Sequence, residues 1–243
     1  MQHLITVLRE FTSSAINLVF PPSCVHCGRE RALLCHICVA ELTLLLRNVC
    51  RLCAEPLSKA GTCGRCVAER PAFDRLYGSV LYETPVGSAI KALKFDDVRA
   101  LGGMLAGMFN VEALSRSEAE MVVPVPMHKT RLWSRGFNQS EILGRKLAQR
   151  VEIAFRSDVL VRTIDTMAQS EQPTAAARRS ALAGGFSVEP GAVKTITGKR
   201  LLLVDDVFTT GSTVNACAEA LRSAGASWVG VVALAVQPIG GLK

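Results

Sequence analysis

Aromatic side chains are scarce in this sequence. Phe, Trp and Tyr make up 5% of 243 residues, with two Trp and two Tyr. Hydrophobic residues still reach 49%, enough for a sizeable core that aliphatic side chains must fill. Apolar runs are short, and none approaches the roughly 20 residues that span a bilayer. The first 23 residues carry Arg9 and Glu10 inside their apolar stretch and lack both a basic start and a small-residue cleavage site. A secretory leader is therefore not expected, and the reading is a cytoplasmic, reducing location. The length fits one large or two smaller domains.

Cysteine is not scarce. Eight of nine cysteines fall in four Cys-x-x-Cys pairs: Cys24/Cys27, Cys35/Cys38, Cys50/Cys53 and Cys63/Cys66. This is metal-ligand spacing, and two residues between thiolates let one knuckle grip a tetrahedral ion. The gaps of seven and nine residues inside each half let a short loop return the second knuckle. Nearest-neighbour closure gives two structural zinc sites, one on Cys24, Cys27, Cys35 and Cys38, the other on Cys50, Cys53, Cys63 and Cys66. The spacing leaves open a crossed arrangement, first pair with third and second with fourth. His26 and His36 lie inside knuckles and read as bystanders. Formal net charge is +7. Eight thiolates subtract eight charges and two Zn²⁺ restore four, leaving +3, so the basic balance overstates any nucleic-acid signal. Cys217 reads as a core residue.

The most informative stretch is Leu201 to Thr213. An apolar run, Leu201 to Val204, is bounded by polar turn residues and reads as a strand buried on both faces. Asp205 and Asp206 follow, then a Thr209-Thr210-Gly211-Ser212-Thr213 loop, then a helix over 214–224. Ligands sit at the carboxyl ends of strands in open parallel sheets. A loop entering a helix aims backbone N–H groups and the positive helix end at an anion. Gly211 permits close approach, and Ser212 or Thr213 is expected to cap the helix. Adjacent carboxylates suit the cis-diol of a ribose or a divalent metal, so ribose beside phosphate is the economical reading. No Lys follows Gly211, which excludes a Walker A loop. Only 37 residues follow Asp206, too few for the rest of a phosphoacceptor receiver domain.

Elsewhere, residues 4–20 read as an amphipathic helix ended by Pro21-Pro22. Arg75 to Glu83 alternates as a half-exposed strand. Thr84-Pro85 is expected to open a helix, with Thr84 as cap and Pro85 in its first position. Lys91 and Lys94 near its end complement the dipole. A second helix is expected from Val98 to Leu114. Glu120 to Pro126 reads as a strand stopped by Pro124 and Pro126. The segment after it gathers Lys129, Arg131 and Arg135 around Trp133 and Phe137, a loop suited to pyrophosphate. Asn138 caps a helix over 139–150. Residues 165–185 read as a long loop with a short helix at 174–183, after a strand at 160–162. Trp228 to Val236 is the last strand.

The 201–213 unit resembles the PRPP-binding motif of type I phosphoribosyltransferases. That resemblance implies that Asp205 and Asp206 hold the ribose hydroxyls and that Thr209, Thr210, Gly211, Ser212 and Thr213 cradle the 5′-phosphate. The ordered set adds the four cysteine pairs, Lys91-Ala92-Leu93-Lys94-Phe95, Val123-Pro124-Val125-Pro126, Arg135-Gly136-Phe137-Asn138-Gln139, Gln169-Ser170 and Arg178-Arg179. Together they resemble the ComF family, a double zinc ribbon joined to a phosphoribosyltransferase-like domain. The sequence departs from that pattern where Ala181 stands in place of an Asn after the arginines, before Gly184-Gly185-Phe186. The resemblance implies an α/β fold, a parallel sheet flanked by helices behind a small zinc module. The organisation is residues 1–20 as an N-terminal helix, 21–70 as the double ribbon and 71–243 as the phosphoribosyltransferase-like domain. It also implies a pyrophosphate loop at Val123 to Met127, including Pro124, Val125 and Pro126, with Lys129 to Arg135 as a flexible loop over it. The expected ligands are PRPP or a related nucleotide-like molecule with Mg²⁺.

Three functions follow as expectations. One is phosphoribosyl transfer, a glycosyltransferase reaction in which Asp205 and Asp206 position the sugar and the basic loop neutralises pyrophosphate. The second is a non-catalytic single-stranded DNA-binding module using the same pocket and loop, with Trp133 and Phe137 stacking bases; the family resemblance implies DNA uptake and natural transformation, with competence proteins as partners, or nucleotide metabolism as the setting. The third, a zinc-stapled adaptor, leaves the 201–213 unit unexplained.

Overall fold

The apolar run at 201–204 forms the centre of a five-stranded, all-parallel sheet. Its strands are β1 (Arg75–Leu81), β2 (Met121–Pro124), β3 (Ala154–Phe155), β6 (Arg200–Phe208) and β7 (Trp228–Val236), in the order β1-β7-β6-β2-β3. A separate antiparallel pair joins β4 (Leu160–Arg162) to β5 (Phe186–Val188). The computed structural model describes residues 21–45, 48–163 and 185–239. The expected helix of residues 1–20, the short helix at 174–183, Gln169-Ser170, Arg178-Arg179 and the departure at Ala181 lie outside the described residues.

Leu201, Leu202, Leu203 and Val204 are all fully buried. Side chains alternate along a strand, so these residues feed two cores. Leu201 and Leu203 join the second cysteine cluster, Phe73, Phe208 and the helix Ser212–Ser223. Leu202 and Val204 join the first cysteine cluster and the helices Val86–Phe95, Leu101–Gly107 and Gln139–Val151. Each fully buried aliphatic contributes about 1.5–3 kcal/mol, which compensates for the shortage of aromatics.

The zinc module packs on the sheet rather than hanging from it. β1 is an edge strand, and its outer side is covered by the segment before and within the second cysteine cluster. The Leu45 N–H donates to Ser79 O (3.0 Å), Leu81 N–H to Thr43 O (2.9 Å) and Leu76 N–H to Leu52 O (2.7 Å). Gly78 sits where this segment crosses the strand. A Cβ there would lie 2.5 Å from a Val236 methyl and 2.9 Å from Leu45, so only glycine fits.

Two helix expectations are corrected. The segment 98–114 is not one helix but two, Leu101–Gly107 and Val111–Ser115, because the Asn110 side chain accepts from the Ala113 N–H (3.0 Å) and restarts the helix as a cap. Pro85 is the N-cap of the helix Val86–Phe95 and not its first residue, with no side-chain cap from Thr84. The strand Trp228–Val236 and the Asn138 cap fall where the sequence places them.

Candidate functional site

β6 extends beyond Val204 to Phe208, so the acids lie inside the strand rather than after it. Parallel pairing continues through Asp205 with Ala233, Val207 with Ala235 and Phe208 with Val236. The small and branched residues of β7 let the ladder continue despite the carboxylates. Consecutive strand residues face opposite sides, yet both carboxylates reach the N-terminus of the helix Gln139–Val151. Asp205 Oδ1 accepts from Ser140 Oγ (3.0 Å) and from the Asp206 N–H (2.9 Å). Asp206 Oδ1 accepts from Gln139 Nε2 (3.3 Å). Asp206 Oδ2 is buried, takes no hydrogen bond, and meets the Lys94 ammonium as an ion pair. Arg135 donates to Gln139 Oε1 (2.8 Å) and lies over the Phe95 ring.

Burial, and next the Asp206 charge, push the Asp205 carboxyl up to about 7, against the opposing pull of Lys94. Burial also lowers the Arg135 guanidinium, an effect that Asp206 opposes and Arg131 reinforces. Lys94, Gln139 and Ser140 are site residues that the sequence reading did not assign. Lys94 was read as a cation at a helix end and Gln139 as the start of a capped helix; both lie in segments that carry the family resemblance, yet neither they nor Ser140 received a site role.

The loop after β6 turns at Gly211, whose φ of +80° and distance of 2.7 Å from a would-be Cβ to the Phe208 ring both require glycine. Gly211, in the left-handed region, is the N-cap of the helix Ser212–Ser223, with no side-chain cap. The expectation that Ser212 or Thr213 caps this helix is thereby corrected: both are already inside its first turn. Thr210 Oγ1 instead meets Ser212 Oγ (2.9 Å) and the Ser212 N–H (3.4 Å). A hollow of about 30 Å³ is lined by Asp205, Thr209, Gly211, Ser212 and Thr213. Hydroxyls, loop backbone and helix N-terminus thus face one small space beside a carboxylate, an arrangement suited to an anion.

Pro124 pairs with Val204, and the Val125 N–H donates to Val204 O (2.9 Å), which sets the end of β2 beside the middle of β6, next to the acids. Asn138 Nδ2 holds the Val125 carbonyl (2.9 Å). The segment after it is not a flexible loop. Lys129–Arg135 is a helix, begun by the His128 side chain and closed by Gly136 in the left-handed conformation. Of its three cations, Arg135 enters the acid network, Arg131 lies near enough to affect Arg135, and Lys129 is exposed at the helix start. Trp133 is 91% exposed. Phe137 is buried beneath the Arg99 guanidinium, which corrects its expected role in stacking bases.

The cysteines form the two nearest-neighbour sets, Cys24, Cys27, Cys35, Cys38 and Cys50, Cys53, Cys63, Cys66, each with sulfurs within 4.8 Å of one another. Sequential ligation therefore replaces the crossed alternative. A tetrahedral ion with metal–sulfur bonds near 2.3 Å requires sulfur–sulfur edges of about 3.8 Å. The observed edges are 3.7 Å for Cys24–Cys38, 3.6 Å for Cys27–Cys35 and 3.6 Å for Cys53–Cys63. Backbone N–H groups of Cys35 and Cys63 point at Cys24 and Cys50 sulfur at 3.5 and 3.3 Å. Burial raises the Cys24 and Cys50 thiols, but backbone N–H groups outweigh it and bring them down to about 6 and about 7. These donor sets fit Zn²⁺.

The second cluster touches the loop. Arg65, between Cys63 and Cys66, donates from Nη1 to the Thr210 carbonyl (3.5 Å). Burial lowers the Arg65 pKa, but its hydrogen bond to Cys53 and the charges of Cys53, Cys66 and Cys63 raise it overall.

Residues 15–67 match the model of a double zinc ribbon domain, and residues 138–243 match that of a phosphoribosyl transferase domain. The chain is thus a double zinc ribbon joined to a domain of the phosphoribosyltransferase fold. It is 30% identical over 225 residues to the DNA utilization protein YhgH of Escherichia coli (strain K12), covering 88% of this chain and 96% of that protein. It is 28% identical over 223 residues to Competence protein F of Haemophilus influenzae, covering 87% and 96%. The chain belongs to the ComF family. A solved glutamine phosphoribosylpyrophosphate amidotransferase from B. subtilis overlaps 56% of this chain and 25% of its own, at 24% identity and a TM-score of 0.35. Among the described residues no helix is long and apolar enough to cross a membrane.

Proposed function

We propose that this protein binds PRPP or a related ribose phosphate with Mg²⁺ at the carboxyl end of β6, in the service of DNA utilisation or nucleotide metabolism in the cytoplasm. The observation that carries this reading is the hollow of Asp205, Thr209, Gly211, Ser212 and Thr213, on the strand whose next residue, Asp206, pairs with Lys94. The ribose hydroxyls are assigned to Asp205 and Asp206, and the 5′-phosphate to the 209–213 loop. Pyrophosphate is assigned to the backbone of Pro124, Val125 and Pro126, with Arg135, Arg131 and Lys129 as its cations. Mg²⁺ bound with PRPP would spread the pyrophosphate charge. In a transfer, an acceptor forms the bond to C1′ as the C1′–O bond to pyrophosphate breaks, and the electron pair leaves with pyrophosphate. Arg135, half-buried near the acids, meets the charge that develops there.

Calorimetric titration with PRPP and Mg²⁺ tests the site. Binding is expected in the wild type and lost in the double variant Asp205→Asn, Asp206→Asn. Equal affinities would end the assignment.

One observation favours a second reading, single-stranded DNA binding on the same face. Trp133 stands almost fully exposed on the helix that carries Lys129, Arg131 and Arg135. One base–aromatic stack is worth about 1–3 kcal/mol. Titration of an oligonucleotide at low and high salt separates the readings: no binding at low salt removes this one.

A further inference from the structure

The Arg65 contact crosses from the second zinc ribbon to the proposed phosphate loop. A cleft of about 360 Å³ lies beside this contact, lined by Cys53, Arg65, Cys66, Thr210, Gly211 and Ser212, and it shares Gly211 and Ser212 with the hollow. In a trans peptide the C=O and the following N–H point in opposite directions. A donor that fixes the Thr210 carbonyl toward the ribbon therefore turns the Gly211 N–H the other way. Gly211 alone offers little resistance to rotation of that peptide, because glycine accepts many backbone conformations. An external tie is what such a loop lacks.

We propose that Arg65 is a positioning residue: the second zinc ribbon, acting through its guanidinium, sets the orientation of the 210–211 peptide and so aims the Gly211 N–H at a bound phosphate. The ligand part of this inference rests on the ribose-phosphate reading above. The ribbon is well placed for the task because the chain just after it grips the same helix at two points. The Ala72 N–H donates to Asn215 Oδ1 (2.7 Å), and Arg222 Nε donates to the Ala72 carbonyl (2.7 Å). Arg65 also faces the Cys53 sulfur, so its position depends on the closed thiolate cluster. Among the described residues the first ribbon makes no such hydrogen bond to the loop; His26 instead meets Ser88 (3.1 Å) on the neighbouring helix.

The test uses the full chain and four variants: Arg65→Ala, Arg65→Lys, Cys63→Ser in the second ribbon and Cys27→Ser in the first. Arg65→Ala is expected to keep about two zinc per chain and to lose about tenfold in affinity for ribose 5-phosphate, the scale of one hydrogen bond. Its affinity for inorganic pyrophosphate is expected to hold, since that ligand is assigned to the 124–135 segment. Arg65→Lys, which keeps a donor but not the planar fork, should recover part of the loss. Hydrogen exchange at residues 212–216, where the Asn215 N–H is held by Gly211 O at 2.9 Å, is expected to quicken in Arg65→Ala and Cys63→Ser and to stay unchanged in Cys27→Ser. The inference is overturned if Arg65→Ala exchanges as the wild type does, if it loses zinc, or if Cys27→Ser disturbs residues 212–216 as much as Cys63→Ser. Wild-type protein that binds no ribose 5-phosphate would sink the ribose-phosphate reading alone, because the exchange arm needs no ligand and still decides the role of Arg65.

Discussion

The two zinc ribbons have the same ligand set and nearly the same spacing, yet they meet the rest of the molecule differently. The first packs into the sheet face that holds the helices Val86–Phe95 and Leu101–Gly107, with Cys24, Leu34, Cys35 and Cys38 in that core. The second packs into the opposite face, with Cys50, Cys53 and Cys66 beside Phe73 and Phe208. Among the described residues, the second is the one that meets the 209–213 loop, through Arg65. Equal chemistry at the metal therefore leads to unequal influence on the candidate site, because each ribbon acts through what its loops touch.

The largest effect that sharpens this comparison is expected at Phe73. It is buried edge-on to Phe208 at 6.1 Å, between the second ribbon and the loop. Phe73→Ala should cost about 3–5 kcal/mol in urea denaturation and weaken ribose-phosphate binding as well. Its counterpart on the other face, Leu34→Ala, should cost about 2–5 kcal/mol while leaving that affinity intact in the folded fraction. A Leu34 variant that loses affinity as strongly as the Phe73 variant would break the distinction.

A smaller effect is expected from pH. The folded protein holds a proton on Asp205 up to about 7, whereas the unfolded chain releases it near 3.8. This group therefore contributes stability that is present below about pH 4 and is lost as pH rises toward 7. Denaturation curves at pH 5 and 8 should show that loss in the wild type, and Asp205→Asn should remove it. Ligand binding that needs the carboxylate should strengthen across the same window.

The smallest effect is expected at His26. Its hydrogen bond to Ser88 is exposed, so His26→Ala should change stability by under about 1 kcal/mol and should leave exchange at residues 212–216 unchanged.

Much of this architecture was legible in the residues. Cysteine pairs are a local code, so metal binding and its eight ligands followed from spacing, whereas the choice of sequential over crossed sets came from the structure. The Val, Ala and Leu run over 231–236 in β7 and the Asn138 cap are local signals too. What failed was set by neighbours in space. The acids joined the strand because β7 continued beside them. Phe137, which looked like a free stacking ring, was drawn under Arg99. Asn110 won a local competition and divided a helix. Lys94 and Asp206 are far apart in sequence, and no pattern in either segment announces their pairing. The turn at Gly211 and the hollow beside it were readable because they are made by backbone close at hand.

The cover over the outer side of β1 has a consequence for the apo protein. That edge is closed by backbone hydrogen bonds from Thr43, Leu45 and Leu52, residues whose order depends on the metal clusters around them. Without zinc, the strand would present unpaired amides and carbonyls to any extended chain nearby. Zinc removal by a chelator is therefore expected to uncover this edge, and light scattering of the chelated protein checks whether copies then associate.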